Sequence, residues 1–305
     1  MMKRYIDAHV HITPAAALGT KNDRFGTEVM PYGYLKMGEE GFYTMPPYIH
    51  DSQFTEDTLV KLMDVYGVEK AVILQSLMSP QNEAVAKAVE KYPDRLAGAM
   101  IIEPVDGWEE QMEYWYGRGL RAIKFEMRAY TDPAAYPDIG YTDPRMLKLF
   151  EKAQKLGLTV TIDPAPVDFP VYEPEKLLKA IREFPALHFV LCHMAYPRPL
   201  DAPELETRWE QMLTVAALPN CFLDVSAMPD FFDAEGWPYP TALKLLKKAK
   251  EVAGAQKLIW GTDISGTLNR ATYAQMMEMF YRADCLNEEE LDGLFYRNAK
   301  RAYRL

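Results

Sequence analysis

Short aliphatic and β-branched runs alternate along the chain with stretches whose apolar positions recur at helical spacing. The runs predict eight strands: Tyr5–Val10, Lys70–Gln75, Leu96–Ile102, Arg121–Glu126, Leu158–Asp163, His188–His193, Cys221–Ser226 and Lys257–Asp263. Helices are predicted between them at Thr55–Tyr66, Gln81–Lys91, Trp108–Gly117, Pro144–Leu156, Pro174–Glu183, Glu204–Leu218, Pro240–Val252 and Ala271–Arg282, with a further helix from Glu288. This alternation predicts an α/β fold of the TIM-barrel type, (β/α)₈.

One long segment interrupts the alternation after the first predicted strand. Residues 12–54 are rich in Gly, Pro, Tyr and Met, and the segment is far longer than an ordinary strand–helix loop. Its aromatic content favours packing over disorder, so we expect a lid-like insertion over the barrel mouth. Residues 127–143 predict a second loop on the same face. No linker-like tract divides the chain, so we expect residues 1–305 to form a single barrel domain.

Composition and charge narrow the classes of partner. The chain has 305 residues and a net charge of -10, which offers no basic surface for nucleic acid and leaves small molecules as the expected ligands. Its three cysteines lack the spacing of a thiolate zinc site and favour a reducing compartment. No apolar run has the length of a membrane span or a signal peptide. We therefore expect a cytoplasmic protein with no membrane partner.

The first predicted strand carries two histidines and an aspartate. Because side chains alternate across a strand, Asp7, His9 and His11 share one face and Ile6 and Ala8 share the other. We expect the apolar face to contact the helices and the polar face to point into the barrel. The two imidazoles would then lie at the carboxyl end of the barrel, where barrel enzymes carry out their chemistry.

Polar side chains also end the fifth, sixth and eighth predicted strands, as Asp163, His193 and Asp263. In a closed barrel the eighth strand lies beside the first, so Asp263 should approach the histidine pair. Two neutral imidazoles with one or two carboxylates suit Zn²⁺, and also Mn²⁺ or Fe²⁺, with a position left open for water or substrate. A polar mouth that binds substrate without a metal is the alternative. Cys192 has the opposite parity to His193, so we expect its thiol to face the helices.

Four motifs resemble one known group of enzymes. IDAHVH, LCHMAYP, WGTDIS and the closing RNAKRAYRL are similar to the amidohydrolase superfamily, in its amidohydrolase-related branch (amidohydrolase 2), over residues 5–305. That branch includes metal-dependent decarboxylases and lactone hydrolases of the TIM-barrel fold. The resemblance implies that His9 and His11 are metal ligands, that His193 is a catalytic or second-metal residue, and that Asp263 is both a ligand and a proton-transfer group. It also implies a homo-oligomer.

One position departs from the pattern of this branch. The fifth strand of such proteins usually ends in a histidine ligand, whereas this chain has Asp163. A carboxylate also binds zinc, so we expect Asp163 to be a metal ligand. The alternative is a weakened or absent metal, as in lactone-hydrolysing relatives that are thought to work without one.

Basic residues in the loops of the active face are candidates for substrate binding. Guanidinium groups bind carboxylates through two hydrogen bonds. The candidates are Arg24, Lys124, Arg128, Arg198 and Arg270. For Lys124 the alternative is a salt bridge inside the barrel with Glu126, and for each arginine alone it is an ordinary surface position.

Together these features predict a metal-dependent hydrolase that uses metal-activated water to open a lactone or amide bond in a small carboxylated substrate. Asp263 would accept and return the proton, and His193 would assist at the carbonyl group. The alternative is a non-hydrolytic, metal-dependent decarboxylase of an aromatic or unsaturated acid. A metal-free lactonase and a binding protein without activity are further alternatives.

Overall fold

A computed structural model describes residues 4–131 and 139–305 of the chain. Eight parallel strands follow one another around the barrel in chain order. They are Tyr5–Val10, Val68–Ile73, Leu96–Met100, Ala122–Glu126, Thr159–Asp163, His188–Leu191, Cys221–Asp224 and Leu258–Ile259. Backbone hydrogen bonds from Ala8 N to Trp260 O (3.1 Å) and from Asp263 N to His9 O (2.7 Å) join the first strand to the eighth. The predicted TIM barrel is confirmed.

Helices connect the strands, and their first turns show why they begin where they do. The Thr55 hydroxyl accepts a hydrogen bond from Thr58 N, and the Asp143 carboxylate accepts one from Arg145 N beside a proline in the first helical turn. The helices are Glu56–Tyr66, Asn82–Lys91, Trp108–Gly117, Pro144–Lys155, Pro174–Glu183, Pro203–Ala216, Met228–Phe231, Pro240–Ala253, Tyr273–Tyr281, Glu288–Asp292 and Asn298–Tyr303. Each predicted helix is present, and most of its bounds agree with the prediction to within a few residues.

Apolar side chains from most of the strands fill the lower part of the barrel. This cluster includes Ile6, Ala8, Val72, Ala99, Ala122, Val190, Phe222 and Ile259, together with Ala302 and Tyr303 of the last helix. Thr159 Oγ1 donates a hydrogen bond to Ala302 O (2.9 Å), so the fifth strand also contacts this helix. The last helix therefore closes the amino-terminal end of the barrel, opposite the ends of the strands that carry the polar residues.

The face predicted for Asp7 is wrong. Ile6 and Ala8 lie in the interior cluster, while the Asp7 carboxylate accepts hydrogen bonds from Thr262 Oγ1 and from the Tyr273 hydroxyl, both at 2.7 Å. Tyr273 belongs to the surrounding layer of helices, so Asp7 points out of the barrel.

A β-bulge explains both this error and the correct placement of the histidines. In the pairing with the second strand, Asp7 is opposite Ala71 and Val10 is opposite Ile73, so three steps on one strand match two on the other. The extra residue interrupts the alternation. Consequently His9 points into the barrel, on the same side as Ala8.

The insertion after the first strand is folded. Its strands Lys21–Asn22, Thr27–Val29, Tyr34–Met37 and Glu40–Tyr43 form an antiparallel sheet. The sheet is attached to loops of the barrel mouth: Thr27 Oγ1 donates to Met78 O (3.0 Å), and Ser265 Oγ donates to Thr44 O (2.9 Å). A role as a lid stays a prediction, as does the single domain.

Two further expectations concern particular segments. Residues 132–138 of the second predicted loop lie outside the described residues. Within the described part of the chain, the helices are too short or too polar to cross a membrane.

A charge placed under the barrel tests the closing role of the last helix. We expect Ala302→Asp to lower the free energy of unfolding by about 3 kcal/mol or more, because the carboxylate would be buried among apolar side chains without a partner. Urea denaturation measures this change. Lys300→Asp on the exposed side of the same helix is the control and should leave the midpoint close to that of the parent. Equal midpoints for the two variants would contradict this role.

Candidate active site

His9, His11 and Asp263 meet at the carboxyl end of the barrel, as the sequence predicts. Asp263 Oδ1 lies 2.9 Å from His11 Nε2 and 3.4 Å from His9 Nε2. One ligand atom from each of the three side chains lies within 4.8 Å of the other two. The structure therefore brings together two imidazoles and a carboxylate at the junction of the first and eighth strands.

The seventh strand fixes the orientation of His9. His9 Nδ1 donates to Asp224 Oδ2 at 2.5 Å, and both side chains are buried. Burial lowers the pKa of His9 well below its usual range, and it raises the pKa of Asp224 to about 6. At pH 7 the ring is therefore neutral beside an ionised carboxylate. Its proton is on Nδ1, and Nε2 presents a lone pair toward Asp263.

One hydroxyl contacts both buried imidazoles. Ser226 Oγ lies 3.1 Å from His9 Nδ1 and 3.0 Å from His193 Nδ1. Since His9 Nδ1 carries a proton, the serine cannot donate to that nitrogen, but it can donate to His193 Nδ1. In that arrangement His193 carries its proton on Nε2. Burial lowers the pKa of His193 to about 4, so this ring is also neutral at pH 7.

His193 reaches the site through an unusual backbone turn. Residues 193–196 all have φ between 51° and 58°, in the left-handed region that side chains other than glycine rarely adopt. Trp209 Nε1 donates to Met194 O (2.9 Å), and the Tyr172 hydroxyl donates to Ala195 O (2.7 Å). These buried hydrogen bonds hold the turn, which directs the ring inward.

The same turn makes the prediction for Cys192 wrong. The thiol lies in the interior cluster and not against the helices. Its Sγ is 3.2 Å from Lys124 Nζ and is grouped with ring nitrogens of His9 and His193 within 4.8 Å. Alternation broke down because the left-handed conformation of His193 puts two successive side chains on the inner side.

Asp263 follows the eighth strand in a turn with φ of 62°. Burial disfavours its ionised form, but the charges that His9, His11 and His193 carry when protonated, together with a hydrogen bond from His11, outweigh this and hold the pKa of the carboxyl well below its usual range. Asp263 is therefore ionised at neutral pH.

Asp163 lies on the other side of His193. Its Oδ2 is 3.8 Å from His193 Nε2, and its Oδ1 accepts a hydrogen bond from Ala165 N (3.0 Å). In the described part of the chain it does not join the group formed by His9, His11 and Asp263. Its role as a metal ligand stays a prediction.

Lys124 is a buried cation, with 2% of its surface exposed. Its one hydrogen bond in the described chain is with the Cys192 thiol, and it forms no salt bridge there with Glu126 or another carboxylate. Burial opposes the ammonium form, whereas the hydrogen bond with Cys192 and the carboxylates of Asp163 and Glu126 favour it, and together they raise the pKa of Lys124. An ammonium group has three donors, so two remain for a ligand.

The structure does not bring the four candidate arginines together. Arg24 Nη1 contacts Glu103 Oε2 (2.5 Å), and Arg270 Nε lies 3.6 Å from Asp230 and 3.4 Å from Asp233. Arg198 Nη1 donates to Phe231 O (2.7 Å) and lines a separate groove. Arg128 is exposed after the fourth strand. Their role in substrate binding stays a prediction.

A cavity of about 260 Å³ opens over these polar residues. His11, Lys124, His193 and Asp263 line it from the barrel. Val29, Leu35, Phe42 and Tyr43 line it from the insertion. The cavity thus joins the polar site to an apolar wall.

Comparisons with known proteins agree with this architecture. The sequence model of the amidohydrolase family (Amidohydro_2) matches residues 6–305. The chain therefore belongs to the amidohydrolase family. Membership confirms the predicted resemblance and makes this chain an enzyme. Among curated protein sequences, none matches this amidohydrolase.

Solved structures of similar fold include hydrolases and a decarboxylase. A probable 2-pyrone-4,6-dicarboxylic acid hydrolase from Acinetobacter baumannii, with citric acid bound, has a TM-score of 0.73 and 16% identity over 100% of both chains. An amidohydrolase from Burkholderia multivorans with bound Zn has a TM-score of 0.73 and 16% identity over 99% of both. A 5-carboxyvanillate decarboxylase from Sphingomonas paucimobilis has a TM-score of 0.64 and 18% identity over 99% of both.

Sequence reasoning missed one residue that shapes the amidohydrolase site. A Cβ on Gly261 would lie 2.7 Å from His9 Cβ and 3.0 Å from His9 N. The absence of a side chain therefore lets the eighth strand approach the first. The WGTDIS motif contains this glycine, but only the tertiary contact shows why the position matters.

Gly261→Ala tests this close approach. The added methyl group would displace His9 from Asp224, so we expect affinity for Zn²⁺ to fall about 10-fold or more, together with a lower Tm. Calorimetric Zn²⁺ titration and thermal unfolding measure the two effects. Gly117→Ala is the matched control, since a Cβ there meets no atom within 4 Å. Unchanged Zn²⁺ affinity in Gly261→Ala would show that His9 tolerates the displacement.

Proposed function

We propose that this amidohydrolase is a metal-dependent hydrolase that opens a lactone or amide bond in a small carboxylated molecule. The observation that carries the proposal is the convergence of His9, His11 and Asp263 beside a cavity that also contains His193 and Lys124. The similar structures that hold Zn or citric acid support the choice of metal and of substrate class.

The donor atoms present fit a divalent metal ion. His9 Nε2 is buried and has no hydrogen-bond partner among the described residues. Because its proton is on the other ring nitrogen, its lone pair faces the ionised Asp263 oxygen at 3.4 Å. Two electron-pair donors that face each other without a proton repel, and a cation between them removes the repulsion. Two imidazoles and a carboxylate suit Zn²⁺ best, and Mn²⁺ and Fe²⁺ accept the same donors.

His9, His11 and Asp263 would hold the metal. When bound, such an ion supplies Lewis acidity: it lowers the pKa of water and polarises a carbonyl group. Asp224 would orient His9 by accepting a hydrogen bond from Nδ1. Such outer carboxylate partners typically contribute 10- to 100-fold to metal affinity.

Asp263 and His193 would divide the proton chemistry. Asp263 is ionised and lines the cavity, so it can accept a proton from an attacking water and return it to the leaving oxygen or nitrogen. His193 is neutral, and its Nε2 proton is directed by Ser226. It can therefore donate a hydrogen bond to the substrate carbonyl oxygen as negative charge develops there.

Lys124 would bind a substrate carboxylate. Lys124 is a buried ammonium with no carboxylate within salt-bridge distance in the described chain, so a substrate carboxylate would supply its direct ion pair. Lys124 is reached from the cavity that His193 and Asp263 also line. Binding at Lys124 would therefore place the reacting carbonyl near both residues.

Metal removal and replacement test the proposal. We expect the purified enzyme to bind about one divalent ion per chain. Chelation should abolish ring opening of carboxylated lactones, and added Zn²⁺ should restore it. His9→Ala and Asp263→Asn should each lower the metal content and the activity, as measured by elemental analysis and by the appearance of the ring-opened acid.

Other outcomes of this test would point elsewhere. Full activity after chelation would contradict metal dependence and favour a metal-free lactonase. Release of CO₂ from an aromatic or unsaturated acid would assign the enzyme as a decarboxylase.

Lys124→Met tests carboxylate binding. We expect KM for a carboxylated lactone to rise by about 10-fold or more, because the ammonium is lost while the side-chain volume is kept. Tm should change little, because burial disfavours the ammonium while the carboxylates of Asp163 and Glu126 favour it. Lys155→Met, on an exposed helix face, is the control. Unchanged KM with a lower Tm would instead indicate a structural role for Lys124.

A further inference from the structure

The charges around the cavity are distributed unevenly. Lys124 is the one lysine or arginine side chain among its described lining residues, whereas Glu126, Asp230 and Asp263 contribute carboxylates. The segment 132–138, which lies outside the described residues, contains no lysine or arginine in its sequence. The cavity therefore offers a single cationic side chain to a substrate.

None of the four candidate arginines is among the described residues that line the cavity. The charge of Arg270 is shared between Asp230 and Asp233, and Arg24 is paired with Glu103. Neither guanidinium lines the cavity. Away from the metal proposed at His9, His11 and Asp263, a second carboxylate on a substrate would find no lysine or arginine to pair with among the other described lining residues, and it would lie near the carboxyl groups of Glu126 and Asp230.

One part of the remaining wall is apolar. Leu35 of the insertion and Leu74 and Val85 of the barrel are buried, with at most 5% of each exposed. Phe42 stands at the opening with 43% of its surface exposed. Ligand sites of this kind combine an apolar lining with a few placed polar groups. An uncharged hydrocarbon group fits this apolar part of the wall better than a charged group does.

We infer that the cavity selects a substrate with one carboxylate, bound at Lys124, and an uncharged apolar substituent that packs against Leu35, Phe42 and Val85. This inference rests on the proposed hydrolase function and specifies its substrate class. It also separates this enzyme from hydrolases of dicarboxylated lactones, such as the one named for the similar structure from Acinetobacter baumannii.

A matched pair of lactones tests the inference in the metal-loaded enzyme. Both have the same unsaturated six-membered ring; one carries a carboxylate and a propyl group, and the other carries two carboxylates. We expect kcat/KM for the propyl compound to be higher by about 10-fold or more. Equal or better turnover of the dicarboxylated compound would overturn the inference while supporting hydrolysis.

Adding a cation to the wall should change the preference. Ser79 lines the cavity and is half-buried. We expect Ser79→Arg to reduce the propyl preference about 5-fold or more by raising kcat/KM for the dicarboxylated compound, because the new guanidinium can pair with the second carboxylate. Ser79→Gln, of similar length but uncharged, should keep the parent's ratio. The same ratio in Ser79→Arg and Ser79→Gln would count against the inference.

Binding of unreactive analogues distinguishes the proposed substrate preference from the proposed hydrolase activity. Analogues in which CH₂ replaces the ring oxygen have no ester bond, and calorimetry measures their Kd directly. Tighter binding of the propyl analogue without turnover of either lactone would support the cavity preference and contradict hydrolysis. Tighter binding of the dicarboxylated analogue would overturn the preference whatever the reaction is.

Discussion

The hydrogen bond between His9 Nδ1 and Asp224 organises the whole site. It holds the ring proton on one nitrogen, and burial keeps the ring neutral, so the other nitrogen must present a lone pair toward Asp263. Ser226 extends the same arrangement to His193, because its hydroxyl contacts both rings. The orientation of two imidazoles thus depends on Asp224, which ends the seventh strand, and on Ser226 two residues later. A cation between His9 and Asp263 would remove the repulsion between this lone pair and the carboxylate.

Much of the fold was predictable because its signals are local. Short stretches of sequence are enough to show the spacing of strands and helices and the capping residues Thr55 and Asp143. The meeting of His9, His11 and Asp263 was also predictable, since the ends of neighbouring parallel strands must lie at the same end of a barrel. These predictions required only the periodicity of apolar positions and the closure of the barrel.

The errors arose where the backbone departs from regular geometry. The bulge before Val10 turned Asp7 outward, and the left-handed turn at His193 brought Cys192 into the interior. Neither feature has a simple sequence signal, because other parts of the fold hold them in place, as Trp209 does for the turn. The arginines illustrate a second limit. Their partners lie on other loops, so the sequence alone did not show that Arg24 and Arg270 are engaged by carboxylates.

The junction between the first and eighth strands gives the site a particular relation to folding. His9 and Asp263 are separated by most of the chain, and contacts of such sequence separation form late because closing a long loop costs entropy. A partial barrel built from the early strands would contain His9 and His11 but neither Asp224, Ser226 nor Asp263. Such an intermediate would have an open edge of its sheet and an incomplete set of site residues. The site is therefore complete only when the first and eighth strands have met, so closure of the barrel and assembly of the site are the same structural event.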